Sequence, residues 1–217
     1  MTRDPDALVL FGDVVRSRDD LQASTRWLRT LTADLELAYP DADRLAPIAF
    51  TQGDELQALL RITADPLAAV LRAALHPEAL EMRWVVAAGS IQPGSGPTTE
   101  RTGRAFLLAR GLLDTARARR ERLLVAVGSE PADSLLADLA PLLGDLLGDL
   151  TDRQRAIARL MLVDGLRQSE VAARLGVSRA TISVMAERAR IRRIEGLGRA
   201  VRRIVADGTR TDGDGQR

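Results

Sequence analysis

The 217-residue chain predicts an α+β domain of βαββαβ order, extended by one further αβ, followed by an all-α domain that carries a helix-turn-helix. Three observations predict it. Apolar runs of strand length alternate with helical periods as far as Val127. The stretch 168–187, QSEVAARLGVSRATISVMAE, has the apolar spacing that closes two short helices onto a third. The charge is also divided. Residues 151–217 hold 15 arginines against 8 acids, a net +7, whereas residues 1–150 hold 16 against 22, a net −6. An acidic unit joined to a basic one leaves only the second to meet a polyanion such as double-stranded DNA.

Composition narrows the chemistry. Apolar residues make up 46% of the chain, enough for a globular core. There is no cysteine, which excludes disulfides and thiolate metal sites, and the single histidine, His76, cannot form a multi-histidine zinc site. All 31 basic residues are arginine, a bias that GC-rich coding also produces. No signal peptide or membrane-length apolar run is visible, so a cytoplasmic protein is expected.

Taken in order, residues 7–12 (ALVLFG) form a strand that Asp13 ends. Residues 21–39 carry Leu28, Leu31, Leu35 and Ala38 at helical period. Residues 47–51 and 56–62 read as strands joined by a QGDE turn, and residues 65–75 as a helix with proline at its first position. A strand at 82–91, a loop at 92–100, a helix at 103–120 and a strand at 123–127 complete the domain. This is the split βαβ, ferredoxin-like order, with helices on one face of an antiparallel sheet. In it the first and third strands are antiparallel neighbours, which brings Asp13 beside the turn bearing Asp54 and Glu55. Converging carboxylates raise one another's pKa. A divalent cation removes that cost, and Mg²⁺ held by one or two carboxylates with nucleotide phosphates completing its shell is the usual arrangement. Arg16, Ser17 and Arg18 follow at once and offer donors to phosphate. The same residues also read as a strand that simply ends on a Gly-Asp turn, and spacing does not choose between the two.

Residues 131–150 form a leucine-rich connector. Leu136, Leu143 and Leu150, or Leu139 and Leu146, have the spacing of a dimer seam, but Pro141, Gly144 and Gly148 oppose a single rigid helix. A broken amphipathic segment packed on the basic domain is expected. Thr151 and Gln154 form a capping box that opens residues 151–206, and Gly165 ends the first helix. Within the helix-turn-helix, Val171, Leu175, Val177, Ile182 and Met185 face inward, Gly176 makes the turn and Ser178 caps the second helix. Arg179, Ala180, Thr181, Ser183, Val184 and Glu187 are left facing outward. The second helix of this motif enters the major groove with its N-terminal half on base edges. Ser178, Arg179, Thr181 and Ser183 are therefore placed at DNA bases, and Arg188, Arg190 and Arg192 at phosphates. The amphipathic run that follows, with Ile191, Ile194, Leu197, Val201, Ile204 and Val205 on one face, serves as a backbone stripe, a dimer helix, or both. Residues 207–217 are polar and glycine-rich and expected to be disordered.

From LTDRQRAIARL onward the chain resembles the helix-turn-helix of sigma-factor region four and of response-regulator DNA-binding domains. FGDVVRSR, FTQGDELQALL, MRWVVAAGSI and GRAFLLAR, in that order over residues 7–120, resemble the SatD family. That family looks related to class III nucleotidyl cyclases and, more loosely, to diguanylate cyclases. The resemblance implies a nucleotidyl-cyclase-like fold, metal held by Asp13 and Asp54, and a nucleotide contacted by Glu55, Arg104 and Arg110 as well as the Arg16–Arg18 turn. The chain departs from the cyclase pattern at Leu107, where an asparagine is expected, at Arg110, one position out of register, and in having no lysine. Thr102, Gly103 and Arg104 stand where SatD relatives tend to show Asp-Gly-Pro. The expectation is a transcription regulator, homodimeric because one recognition helix reads few base pairs, whose N-terminal domain binds a nucleotide. The alternatives are a Mg²⁺-dependent cyclase or nucleotidyl transferase with a DNA-binding module, and a DNA-binding protein whose N-terminal domain only dimerises.

Overall fold

The first strand, β1 (Asp6–Val14), is apolar at almost every position because it is covered on both faces. Leu8 and Leu10 point into one core, and Ala7, Val9 and Phe11 into the other. The computed structural model describes residues 6–50 and 55–214. In it β1 lies at the centre of a five-stranded sheet of order β2-β3-β1-β4-β5. It is antiparallel to both β3 (Glu55–Arg61) and β4 (Met82–Ser90). β2 (Ala49–Phe50) forms one edge beside β3. β5 (Leu123–Ala126) forms the other edge and runs parallel to β4.

The sheet is therefore mixed rather than purely antiparallel. A parallel pair needs a crossover connection, and α3 (Arg104–Arg119) supplies it. Its Ala105, Phe106, Ala109, Leu113 and Ala116 close the second core. Helices thus lie on both faces, not on one as expected from the sequence. The opposite face is covered by α1 (Leu21–Ala38), through Trp27, Leu28, Leu31 and Leu35, and by α2 (Ala68–Ala74).

The leucine-rich segment corrects a second expectation. α4 (Ala132–Gly148) is one continuous helix with Pro141 inside it. An interior proline costs about 3 kcal/mol. Burying Leu136, Ala140, Leu143 and Leu147, at roughly 1.5–3 kcal/mol for each leucine, outweighs that. Gly144 and Gly148 are contact points rather than breaks. A Cβ at Gly144 would stand 3.1 Å from the Leu123 backbone nitrogen, and one at Gly148 would stand 2.5 Å from Arg122 Nε.

The basic part comprises α5 (Asp152–Leu162), α6 (Gln168–Leu175), α7 (Arg179–Arg188) and α8 (Ile191–Asp214). As expected, α4 packs on this part, through α8. Residues 207–214, expected to be disordered, belong to that helix. Gly208 makes this possible: it is buried so closely on the end of the sheet domain that a Cβ would come within 2.7 Å of Val127 and 3.0 Å of Ala132. Ile191, Ile194, Val201 and Val205 are buried within the chain itself. One apolar core runs from Leu8 in the sheet to Ile182 in α7. Two ion pairs also cross between the parts, Arg159 to Asp34 at 3.5 Å and Arg202 to Asp65 at 2.7 Å. Among the described residues no helix is long and apolar enough to cross a membrane.

Candidate nucleic-acid interface and N-terminal cleft

The helix-turn-helix is built by its caps. Thr151 and Gln154 form the expected capping box at the start of α5. Gly176 ends α6 in the left-handed region, φ 64°, where glycine has no Cβ penalty. Ser178 caps α7 by accepting the Thr181 N–H at 3.0 Å. Val171, Ala172, Ile182 and Ala186 are buried and lock the helices together, while Val177 and Met185 are half-buried. Leu175, assigned inward from its spacing, is 43% exposed instead. It is the last residue of α6, beside the Gly176 turn.

Arg179, Ala180, Ser183, Val184 and Glu187 are exposed along α7, as the sequence pattern implies. Thr181 is half-buried, and its hydroxyl is 2.8 Å from that of Ser178, so these two residues serve the cap. Arg188, Arg190 and Arg192 are exposed around the α7–α8 turn, where Arg190 adopts φ 54°. Arg193, one of the arginines on the amphipathic run expected to serve as a backbone stripe or dimer helix, is exposed beside them. Among the described residues, none of Arg179, Arg188, Arg190, Arg192 and Arg193 makes an ion pair. This cationic surface is open and, among the described residues, free of ion pairs.

The N-terminal site is the reverse. Strand register sets Asp13 opposite Glu55 on one side and opposite Arg83 on the other. The expected convergence of carboxylates is thus present in Asp13 and Glu55, 3% and 7% exposed. Both are engaged by arginines. Asp13 accepts from Arg117 at 2.7 and 3.3 Å and from Arg83 at 3.3 Å. Glu55 accepts from Arg110 at 2.7 and 3.0 Å and from Gln57 at 2.7 Å, and Arg117 stands 3.7 Å away. The Arg110 guanidinium also lies 4.7 Å from the centre of the Phe11 ring. Sequence reasoning missed Arg83 and Arg117. The signal for Arg117 was its spacing from Arg110: seven residues is two helical turns, which places both on one face of α3.

Asp54, expected to share a metal with Asp13, lies outside the described residues. Among the described residues, Asp13 and Glu55 are met by the guanidinium groups of Arg83, Arg110 and Arg117, which is the chemistry of ion pairs. A Mg²⁺ ion at Asp13 would require Arg117 to release it.

Arg16 (φ 56°), Ser17 and Arg18 form the turn after β1. Together with Asp13, Arg83 and Arg117 they line an open cleft of about 640 Å³. Ser17 is buried and its carbonyl accepts from the Ser24 hydroxyl at 3.4 Å. Of the expected ligand contacts, Arg16, Ser17, Arg18, Glu55 and Arg110 gather at this end of the sheet. Arg104 does not. It opens α3, roughly 20 Å along the helix axis from Arg117, and donates to the Gly128 carbonyl at 3.4 Å.

Residues 146–192 match the family described as sigma-70, region 4. The match runs from the last three residues of α4 through α5, α6 and α7, and ends in the first turn of α8. No curated protein and no solved structure matches the chain. The segment is a helix-turn-helix of the DNA-binding, transcription-related kind.

Proposed function

We propose that this protein is a transcription regulator that binds double-stranded DNA through α6 and α7, and that its N-terminal domain governs the binding by holding a nucleotide or related anion. The match of residues 146–192 to sigma-70 region 4 carries the DNA part. The exposed, unpaired arginines support it. With α7 in the major groove, Arg179 and Ser183 reach base edges and Val184 presents an apolar surface to a thymine methyl. Arg188, Arg190, Arg192 and Arg193 meet phosphates, so affinity falls as salt rises. Binding as a homodimer would pair two half-sites.

The N-terminal part of the proposal rests on the SatD-like motifs, on a strand order compatible with a ferredoxin-like and nucleotidyl-cyclase-like domain, and on the arginine-lined cleft. The turn Arg16–Arg18 would contact phosphate oxygens. In a Mg²⁺-dependent form of the proposal, Asp54 and a released Asp13 would hold the metal. Leu107, at the position where cyclases carry asparagine, is 75% exposed, and the proposal assigns no turnover.

Two measurements on the full chain test it. Fluorescence anisotropy with pools of duplex DNA should show binding that weakens steeply with salt, and sequence selection should enrich a site. No binding at low salt would overturn the DNA part. Thermal melting against nucleotides, with and without Mg²⁺, should show a concentration-dependent rise that Arg16→Ala diminishes. A rise that Arg16→Ala leaves intact would overturn the cleft assignment.

A further inference from the structure

Between the sheet and the basic domain lies a cavity of about 310 Å³ that neither part of the proposed function uses. Its walls include Leu80, Met82 and Trp84 at β4, Ala74 of α2, Leu147 of α4 and Arg155 of α5. The volume is at the small end of the ~300–1,000 Å³ range of small-molecule sites, and domain junctions are a preferred place for them. The walls are mostly apolar, so their charged groups decide what fits.

Arg122 lines the cavity but is already compensated. It faces Asp145 at 3.2 Å, Asp149 at 3.8 Å and, at 3.5 Å, Glu81, the one acidic residue that lines the cavity among the described residues. Arg155 is different. Its terminal nitrogen donates to the Leu150 carbonyl at 3.4 Å, whereas its Nε is buried and has no hydrogen-bond partner. Among the described residues it makes no ion pair. A buried donor left without a partner costs about 1–3 kcal/mol, more when charged. The Arg155 guanidinium thus stands in the cavity wall without a counter-charge among the described residues, and an anionic group entering the cavity would be held on it by a charge-assisted bond.

We infer that the cavity binds a small amphipathic monocarboxylic acid, with its apolar body against Leu80, Met82, Trp84 and Leu147 and its carboxylate on Arg155. The walls come from the sheet domain and from α5, the first helix of the region matching sigma-70 region 4. A bound acid therefore touches both halves of the protein at once.

The test uses the full chain with octanoate as the probe and octan-1-ol as its neutral counterpart. Binding is followed by tryptophan fluorescence, to which Trp84 contributes directly, and by thermal melting. Octanoate should bind saturably and roughly ten-fold more tightly than the alcohol, the worth of one charge-assisted hydrogen bond. Arg155→Met should bring the two ligands within about two-fold of each other, and Ala74→Met, which fills the cavity, should weaken both. No saturable binding of octanoate at millimolar concentration overturns the inference, and so does octanoate binding unchanged in Arg155→Met. Should Arg155→Met fail to fold, Ala74→Met decides: octanoate binding unaffected by it overturns the site. None of these readouts involves DNA or nucleotide, so they stand or fall apart from the proposed function.

Discussion

The two arginine clusters of this protein are opposites. At the end of β1, Arg83, Arg110 and Arg117 turn inward onto Asp13 and Glu55. Around the α7–α8 turn, Arg188, Arg190, Arg192 and Arg193 turn outward and make no ion pair among the described residues. The same side chain thus does two jobs, and burial of a carboxylate separates them. A buried carboxylate needs a compensating charge wherever it stands, so a guanidinium that meets one is committed to the fold. A guanidinium that meets none keeps its charge for a polyanion.

The comparison predicts its largest effect at Asp13. Asp13→Ala leaves Arg117 and Arg83 without their shared acceptor, and removal of one partner from a buried pair costs roughly 3–5 kcal/mol. The low end applies, because the Arg117 side chain is 40% exposed and can turn toward water. Chemical denaturation of the full chain measures the loss, and DNA affinity per folded molecule should not change. A loss below about 0.5 kcal/mol, the level of an ordinary surface substitution, would break the comparison. It would mean that the arginines are held for a ligand rather than for the fold.

The outward cluster should respond the other way. Arg179→Ala should leave the melting temperature unchanged and cost about 1–3 kcal/mol on the selected DNA site, with little effect on random DNA. Arg192→Ala should weaken both kinds of DNA alike and lower the slope of log affinity against log salt by about one. Titrations at several salt concentrations separate the two. Equal losses from Arg179→Ala on selected and random DNA would move that residue from base edge to backbone.

How far these clusters were legible follows from the range over which each contact acts. The helix-turn-helix is local: the Thr151 capping box, Gly176 at its turn and the Ser178 cap are all written within a few residues of their partners. The β1–β3 neighbourhood was also readable, because element order dictates it, and it brought Asp13 to Glu55. Arg117 was only half readable: its seven-residue spacing from Arg110 puts both on one face of α3, but the contact with Asp13 spans 104 positions of sequence and nothing local sets that face over the strand end. The α4 segment misled for the same reason. Pro141, Gly144 and Gly148 argue locally for a break, whereas their environment (Arg122 and Leu123 packed against the two glycines) is set by β5. The sheet's second helical layer was hidden until α3 could be seen crossing from β4 to β5.

The smallest expected effect lies at the seam between the sheet domain and the basic domain. His76 packs edge-on against Trp27, with ring centres 4.9 Å apart, and its Nδ1 accepts the Glu78 N–H at 3.1 Å. Burial lowers its pKa below the ordinary 6.5, and the charge of Arg159 on α5 lowers it further, while Asp34 and Glu78 oppose this. The folded protein therefore holds His76 neutral at a pH where the unfolded chain begins to protonate it. A group depressed in this way contributes stability that is fully present above the unfolded pKa of about 6.5 and is lost as pH falls through the folded value. Between pH 7.5 and 5 the wild type should lose stability faster than His76→Gln, with the two curves running parallel above neutrality. Because Arg159 also bonds Asp34 of α1, Arg159→Met should raise the His76 pKa toward its ordinary value, measurable by NMR titration of the only imidazole in the chain. A His76 pKa unmoved by that substitution would show that burial alone sets it, and that the basic domain exerts no field on the sheet domain across the seam.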